Sequence, residues 1–329
     1  VPNPVRNEVH VDAILTNLSV GWMLGANNYL ADQVFPVVPV AKQGGRYFVY
    51  DRGDFFRAEM ERRGPGTESA GGGYRVAQDT YFADVWALHK DIADQDRANT
   101  DDPLDQDRDA ASYLTQQALI RKEKQWVSKY FTTGVWTNDQ TGVGAAPGAN
   151  QFLQWNVSTS TPLADLRAQI IAVAKRTGYK PNTLVLGAET WNALADNASL
   201  VDRIKYTERA FIGPDILSAA LGLDRVLIGN GIENTAAETN AASPQTFTGA
   251  FIAGKSAWLG YVAPAPSLQT PSAGYTFAWT GLEGANAMGG AVSKFRMDSL
   301  KSDRVEIEVA FDMKVVAADL GAFFATAVA

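Results

Sequence analysis

"GAFIAGKS", residues 249–256, fits the phosphate-loop pattern G-x-x-x-x-G-K-[ST] letter for letter. A nucleotide hydrolase needs a buried strand leading in and a glycine-rich turn aiming its N–H groups at phosphate. A helix must then begin at the Lys, so that its positive end faces the anion. Here the four intervening residues are Ala250, Phe251, Ile252 and Ala253, which are apolar and alternate with their neighbours like a strand. Downstream, in "AWLGYVAPAP", Gly260, Pro264 and Pro266 forbid a helix of useful length. The stretch therefore reads as a strand over 247–253, with Gly254, Lys255 and Ser256 turning into a second strand. A P-loop nucleotide-binding enzyme remains only as a weak alternative.

Composition narrows the remaining classes. A chain of 329 residues can bury a large core, with two compact units expected. Cysteine is absent, which excludes disulfides, thiolate chemistry and Cys-based metal sites. The two histidines, His10 and His89, lie far apart without a clustered partner, so each reads as an ordinary residue rather than a base or ligand. No segment approaches the apolar length of a membrane span, and "VPNPVRNEVHVD" is no signal peptide; no membrane partner and a cytosolic setting are expected. The balance of 29 basic against 36 acidic residues gives −7, which disfavours tight binding to phosphate backbones.

Working outward along the chain, "LADQVFPVVPVAKQGG" places Pro36 and Pro39 in an apolar run and stops on Gly44 and Gly45. Proline favours extended neighbours, so the first 45 residues read as an extended arm. Two aromatic, β-prone runs, 46–56 and 74–88, then bracket the flexible polar tip "RRGPGTESAGGG" as a long hairpin. Arg52, Arg57, Arg62 and Arg63 are interleaved there with Asp51, Asp54, Glu59 and Glu61. A two-stranded ribbon with so little core is marginally stable alone. The hairpin is therefore expected to project and to find support on another subunit, with Arg52, Phe55, Phe56, Arg57, Glu59, Glu61, Arg62 and Arg63 as contact candidates.

The acidic run "DIADQDRANTDDPLDQDRD" offers alternating Asp at 105, 107 and 109, as a calcium loop would. Ala110 stands where the turn needs Gly, however, and Gln116 where a bidentate Glu belongs. A helix start fits better, with Asp102 as N-cap, Pro103 in the first position and acids complementing the dipole. Helical spacing of Ala111, Leu114 and Ala118, then of Leu119, Trp126 and Tyr130, carries this helix over 103–131, a rod of about 43 Å.

Beyond it, Thr161 as cap, Pro162 in the first position and Gly178 as terminator bound a second helix, and 184–186 form a buried strand. A shorter helix through Leu217 and Leu221 leads to the strand "DRVLIG". "NGIENTAAETNAASPQT" reads as a long exposed loop. Near the end, Val305, Ile307 and Val309 alternate with Glu306 and Glu308, a strand with one buried face. No Ser–His–acid arrangement, glycosidase-like carboxylate pair or other catalytic constellation stands out, so no enzyme and no cofactor or metal are expected.

This order of arm, hairpin, long helix, α/β unit, polar loop and closing strand resembles the major capsid proteins of tailed bacteriophages over nearly the full length. "LTNLSVGWMLGANNYLADQVFPVVPV", "GYKPNTLVLGAETWNAL" and "GKSAWLGYVAPAPSLQTPSAGYTFAW" look like family stretches, and none is an active-site signature. The resemblance implies an α+β fold with an N-terminal arm (1–45) and an extended hairpin loop (46–88). A peripheral domain with a spine helix (89–159), an axial domain (160–285) and a return strand of the peripheral domain (286–329) complete it. The 229–246 loop would lie near the capsomer centre.

It implies self-assembly as pentamers and hexamers into an icosahedral virion capsid, built in the host cytoplasm. The shell would enclose double-stranded DNA without sequence-specific binding. Scaffolding, portal and cementing proteins are the implied partners. Some relatives carry a scaffolding segment ahead of the arm, so a separate scaffold or a cleaved leader is expected. Some also weld subunits through a Lys on the extended loop, whereas no Lys lies between Lys42 and Lys90, so non-covalent docking is expected here. Bacterial encapsulin compartments share the fold and are the nearest alternative.

Overall fold

Pro36 shapes the first elements of the structure, a computed structural model that describes residues 24–100, 105–204, 213–238, 245–266 and 270–329. It allows one turn of helix before it, α1 (Ala31–Val34), and extension after it, β1 (Val37–Val40). β2 (Gly44–Tyr50) ends where Asp51 caps α2 (Arg52–Phe55) by accepting from the Gly53 N–H at 2.8 Å. β3 (Val76–Phe82), β4 (Asp84–Ala93) and α3 (Asp94–Ala98) follow. The hairpin is thus shorter than the runs 46–56 and 74–88. Asp51 turns one strand into helix, and the other breaks at Ala83, beyond which β4 pairs elsewhere.

The long helix is α4 (Gln106–Tyr130), 25 residues or about 38 Å. Asp105 caps it, accepting from the N–H groups of Asp107 (3.1 Å) and Arg108 (3.2 Å). The cap expected at Asp102 and the Pro103 behind it lie outside the described residues. The Asp105, Asp107 and Asp109 run is therefore the helix cap and first turn. Leu114 and Trp126 are buried, and Ala111, Ala118, Leu119 and Tyr130 partly so.

Then come β5 (Asn138–Val143), β6 (Gln151–Leu153), α5 (Pro162–Thr177), β7 (Thr183–Gly187), α6 (Ala188–Ala195), α7 (Ala198–Ile204), α8 (Pro214–Leu221) and β8 (Arg225–Gly229). Gly178 ends α5 as expected; Thr161 sits at its N-cap position but makes no side-chain capping hydrogen bond. Gly178 holds φ 78°, the left-handed conformation that glycine adopts without strain. The last elements are β9 (Ile232–Asn234), β10 (Gly249–Phe251), β11 (Ala257–Gly260), β12 (Gly274–Trp279), β13 (Gly290–Met297), β14 (Ser302–Val315) and β15 (Gly321–Ala325).

Two sheets organise these strands. A six-stranded sheet runs β6-β5-β15-β11-β7-β8, and β7 is buried along its whole length. Leu184 and Leu186 of β7 pack with Leu163, Leu166 and Ile170 of α5, with Trp155 and with Phe324. A five-stranded sheet runs β1-β12-β14-β13, with β4 on the other side of β14. Fourteen residues let β14 pair β13 and β4 with its first half and β12 with its second. Val305 and Ile307 face Leu114 and Ala110 of α4, as the alternation indicated.

Sheet membership cuts across the boundaries expected at 159/160 and 285/286. β5 and β6 join the sheet of β7, β12 joins that of β14, and β15 sits between β5 and β11. Strand pairing over such separations leaves no local mark in sequence.

The opening motif is a strand and a turn, the strand being shorter than 247–253. β10 pairs antiparallel with β9, and β11, not a helix, follows the turn. The Gly254 carbonyl presses on Gly187, where an added Cβ would come within 1.6 Å of it. Lys255 donates to the Ala329 carbonyl at 2.7 Å and lies 3.8 Å from Glu189. The start of the expected 229–246 loop is likewise strand, held to α4 by Lys124 and Glu233 at 2.5 Å; residues 239–244 lie outside the described residues.

Candidate assembly surface

β2 and β3 form a two-stranded ribbon whose register pairs Tyr47 with Asp79 and Gly45 with Tyr81, placing these four residues on one face. That face is clamped to the body. Tyr47 and Tyr81 both stack on Phe277 of β12, with centroids 5.4 and 4.5 Å away. Gly45 makes room for Tyr81, whose hydroxyl lies 2.6 Å and whose ring lies 2.8 Å from where a Cβ would stand. The Tyr47 hydroxyl donates to Asp79 at 2.7 Å, and the Phe82 N–H donates to Asp312 at 3.0 Å. Burial, reinforced by Asp79, pushes the Tyr47 phenol far above its usual range; that hydrogen bond holds Asp79 low.

The opposite face is open and mixes exposed apolar side chains with Arg46, Gln78 and Thr80, where Arg46 donates to Gln78 at 3.3 Å. Phe48 (59% exposed), Tyr50, Val76 and Phe82 (57% exposed) line it, and Phe55 (60% exposed) and Tyr74 extend it into the loop. Tyr50, Phe55 and Tyr74 touch one another at 5.6–5.9 Å between centroids. These exposed rings form a solvent-facing aromatic cluster at the head of the ribbon. Of these rings only Phe55 was singled out from sequence. The period-two alternation of "RYFVY" could have found Phe48 and Tyr50, but which face points out depends on Phe277.

The loop neck is closed by Arg75, which meets Asp54 in a bidentate pair at 2.9 and 3.1 Å and donates its backbone N–H to the same carboxylate. Those bonds hold the Asp54 carboxyl down at about 2. Arg52 reaches Asp319 of the same chain at 2.7 Å, and Arg176 lies 3.6 Å from that carboxylate. Phe56 is exposed but leans over Gly178, its ring 3.1 Å from where a Cβ would stand. Arg57 is 4.0 Å from Glu59, and Arg63 donates to the Thr67 carbonyl. Glu61 and Arg62 are exposed on the tip. The structure thus engages Arg52 internally and leaves Glu61 and Arg62 outward.

Around α3 and β13 the charges are satisfied within the chain. Arg97 pairs with Asp303, Arg296 with Asp94, Lys294 with Asp107 and Arg304 with Asp91, all within 2.5–2.8 Å. The bonds from these cations hold all four carboxyls below their usual range. Among the described residues no group of three or more His, Cys, Asp or Glu could hold a metal ion, and no helix is long and apolar enough to cross a membrane.

No family model matches the chain. It is 25% identical over 327 residues to a major capsid protein of Pseudomonas phage JBD67, covering 97% of each chain. It is 23% identical over 222 residues to the major capsid protein of Burkholderia phage BcepMu, 68% of this chain and 69% of that one. A phage-related protein from Bordetella bronchiseptica RB50 has the same fold at TM-score 0.68 and 21% identity, covering 91% and 92% of the two chains. The capsid of cyanophage P-SCSP1u matches at TM-score 0.61 and 10% identity over 98% and 95%. The SrpI encapsulin of Synechococcus elongatus PCC 7942 matches at 0.55 and 10% over 98% of each.

The architecture is the α+β fold of tailed-phage major capsid proteins. Its sequence relatives are phage major capsid proteins, and its fold is the one those shell subunits share.

Proposed function

We propose that copies of this chain assemble as pentamers and hexamers into an icosahedral shell around the double-stranded DNA genome of a tailed phage. The observation that carries this is the two-faced hairpin, clamped to its own body by Tyr47, Tyr81 and Phe277 while Phe48, Tyr50, Phe55 and Phe82 face solvent. A monomer gains nothing from such a face; a neighbouring subunit would cover it. The arm is 1–45 and the extended loop 46–88; the peripheral domain (89–159 with its spine helix, and the return strand 286–329) and the axial domain (160–285) share sheets across their boundaries, as β5 with β7 and β12 with β14. Residues 229–246 lie toward the capsomer centre.

Arg57, Arg62 and Arg63, with Glu59, Glu61, Phe55 and Phe56, meet the next subunit, and Arg52 spans the base of the loop. A net charge of −7 suits a wall that confines DNA without gripping it. Scaffolding, portal and cementing proteins are its further partners, and assembly occurs in the host cytoplasm before the protein resides in the virion capsid.

Electron microscopy of the purified protein tests the assembly, with closed shells expected and a persistent monomer overturning it. The fold likeness to an encapsulin supports a second reading, a bacterial compartment shell. Nuclease-protected genomic DNA inside particles favours the phage shell, and a packaged enzyme without DNA favours the compartment.

A further inference from the structure

The spine helix α4 carries a buried carboxylate that the assembly surface does not use. Glu123 is 1% exposed, and its Oε2 accepts from the N–H groups of Leu30 (2.7 Å) and Ala31 (2.8 Å) at the head of α1. Its Oε1 is buried without a hydrogen-bond partner. One residue earlier on α4, Lys122 is also buried and pairs with Asp32 of α1 at 2.5 Å. The joint therefore holds two carboxylates against one ammonium. Its net charge is −1 when Glu123 is ionised and zero when Glu123 is protonated. Leu30, Ala31, Val34 and Phe35 close it off from water.

The other charged and titratable groups on the elements packed around this joint are few. Tyr29 of the N-terminal segment meets Gln116 of α4, and Lys124 of α4 is bound to Glu233 of β9. Arg225 of β8 donates to the Gln33 carbonyl at 2.6 Å. On β14, Phe311 lies beneath the Lys122 ammonium, while Asp312 accepts from the hairpin at Phe82 and lies 3.6 Å from Lys314. Of the histidines, His89 pairs in register with Glu306 on β4 and β14, and His10 lies outside the described residues.

We infer that Glu123 is a proton-operated latch: taking up one proton tightens the seat of residues 29–35 on the spine helix, and losing it loosens that seat. Burial raises the Glu123 carboxyl to about 7; the two N–H bonds pull it down, and the Asp32 charge pushes it up. If the segment lifts, water reaches Glu123 and its pKa returns toward the ordinary value near about 4.3. Docking therefore takes up a proton. It is strongest below the exposed pKa and loses that advantage as pH rises through about 7. Between pH 6 and pH 8 the docking equilibrium falls about tenfold. The segment runs directly into β1 and β2, so the latch sits at the root of the hairpin. The inference concerns the subunit itself and does not depend on shell formation.

Hydrogen exchange of the full-length subunit at pH 6 and pH 8, corrected for intrinsic rates, tests it. The Leu30 and Ala31 amides should be protected about tenfold more at pH 6. Glu123→Gln should abolish the difference, and His89→Gln, an exposed site, should leave it intact. Equal protection at the two pH values in the wild type overturns the latch, even if the Glu123 variant does not fold. So does a difference that survives in Glu123→Gln or disappears in His89→Gln.

Discussion

Tyr81 lies nearly flat on Phe277, with ring centroids 4.5 Å apart and planes 12° from parallel. Tyr47 stacks on the same ring, so one side chain of β12 anchors both strands of the hairpin. Phe277 is buried, and Phe277→Ala should cost about 3–5 kcal/mol through lost contacts and a cavity. Limited proteolysis should then cut first within 44–82. A variant that melts like the wild type, or is first cut elsewhere, would show that the clamp does not hold the hairpin.

Removing the loop tip should act differently. Residues 62–72 are exposed throughout, so their deletion should leave the subunit melting temperature nearly intact while shell yield drops sharply. An unfolded subunit or a normal yield of shells would contradict the tip's role in assembly.

The shell should be locked without covalent bonds. A guanidinium stays protonated at neutral pH and is a poor amide-forming nucleophile, and the hairpin has arginines but no lysine between Lys42 and Lys90. Arg52 and Arg75 are engaged within the chain, Arg63 donates to the Thr67 carbonyl and Arg57 lies 4.0 Å from Glu59, so Arg62 is the loop arginine most open to a neighbour. Exposed pairs contribute about 0–1 kcal/mol each, so strength should come from many copies and from covering the aromatic face. Mature particles boiled in detergent should run as one band near 35.4 kDa; a ladder of multimers would refute this.

Lys255→Ala should leave nucleotide affinity unchanged, because Lys255 heads a strand and not a helix. Calorimetric titration with ATP and magnesium should show no heat from either protein. Micromolar binding lost in the variant would restore the hydrolase reading.

Global stability should follow Glu123 as well. Its folded pKa of about 7 lies above the ordinary value, so the unfolded state binds fewer protons between about pH 4 and 7 and stability falls as pH rises through that window. Above it, Glu123→Gln should be more stable than the wild type by up to about 3 kcal/mol, provided the amide oxygen keeps both N–H bonds. Denaturant midpoints at pH 5 and pH 8 check this. A wild type more stable at pH 8 would reverse the sign.

Much of the candidate site was legible where the signal is local. The polar tip, the arginine-rich loop and Phe55 could be read from composition and turn chemistry. Phe48, Tyr74 and Phe82 could not be assigned a face, because a ribbon alternates its side chains and only the body tells inside from outside. Arg52 looked free for a neighbour, but its partner Asp319 is 267 residues away.

By itself the sequence determined the elements whose causes lie within a few residues. Pro162 and Gly178 bound α5, the apolar run 184–186 makes a buried strand, and Pro264 and Pro266 deny a helix to the phosphate-loop look-alike. Only the tertiary structure decided what depends on distant partners. It placed β15 between β5 and β11, moved β12 beside β14 and buried Glu123 in the middle of a helix. The physical reason is the same in each case. Backbone N–H groups and sheet edges are chemically alike at every residue, so their pairing across 92 or 93 positions is set by packing and leaves no local mark.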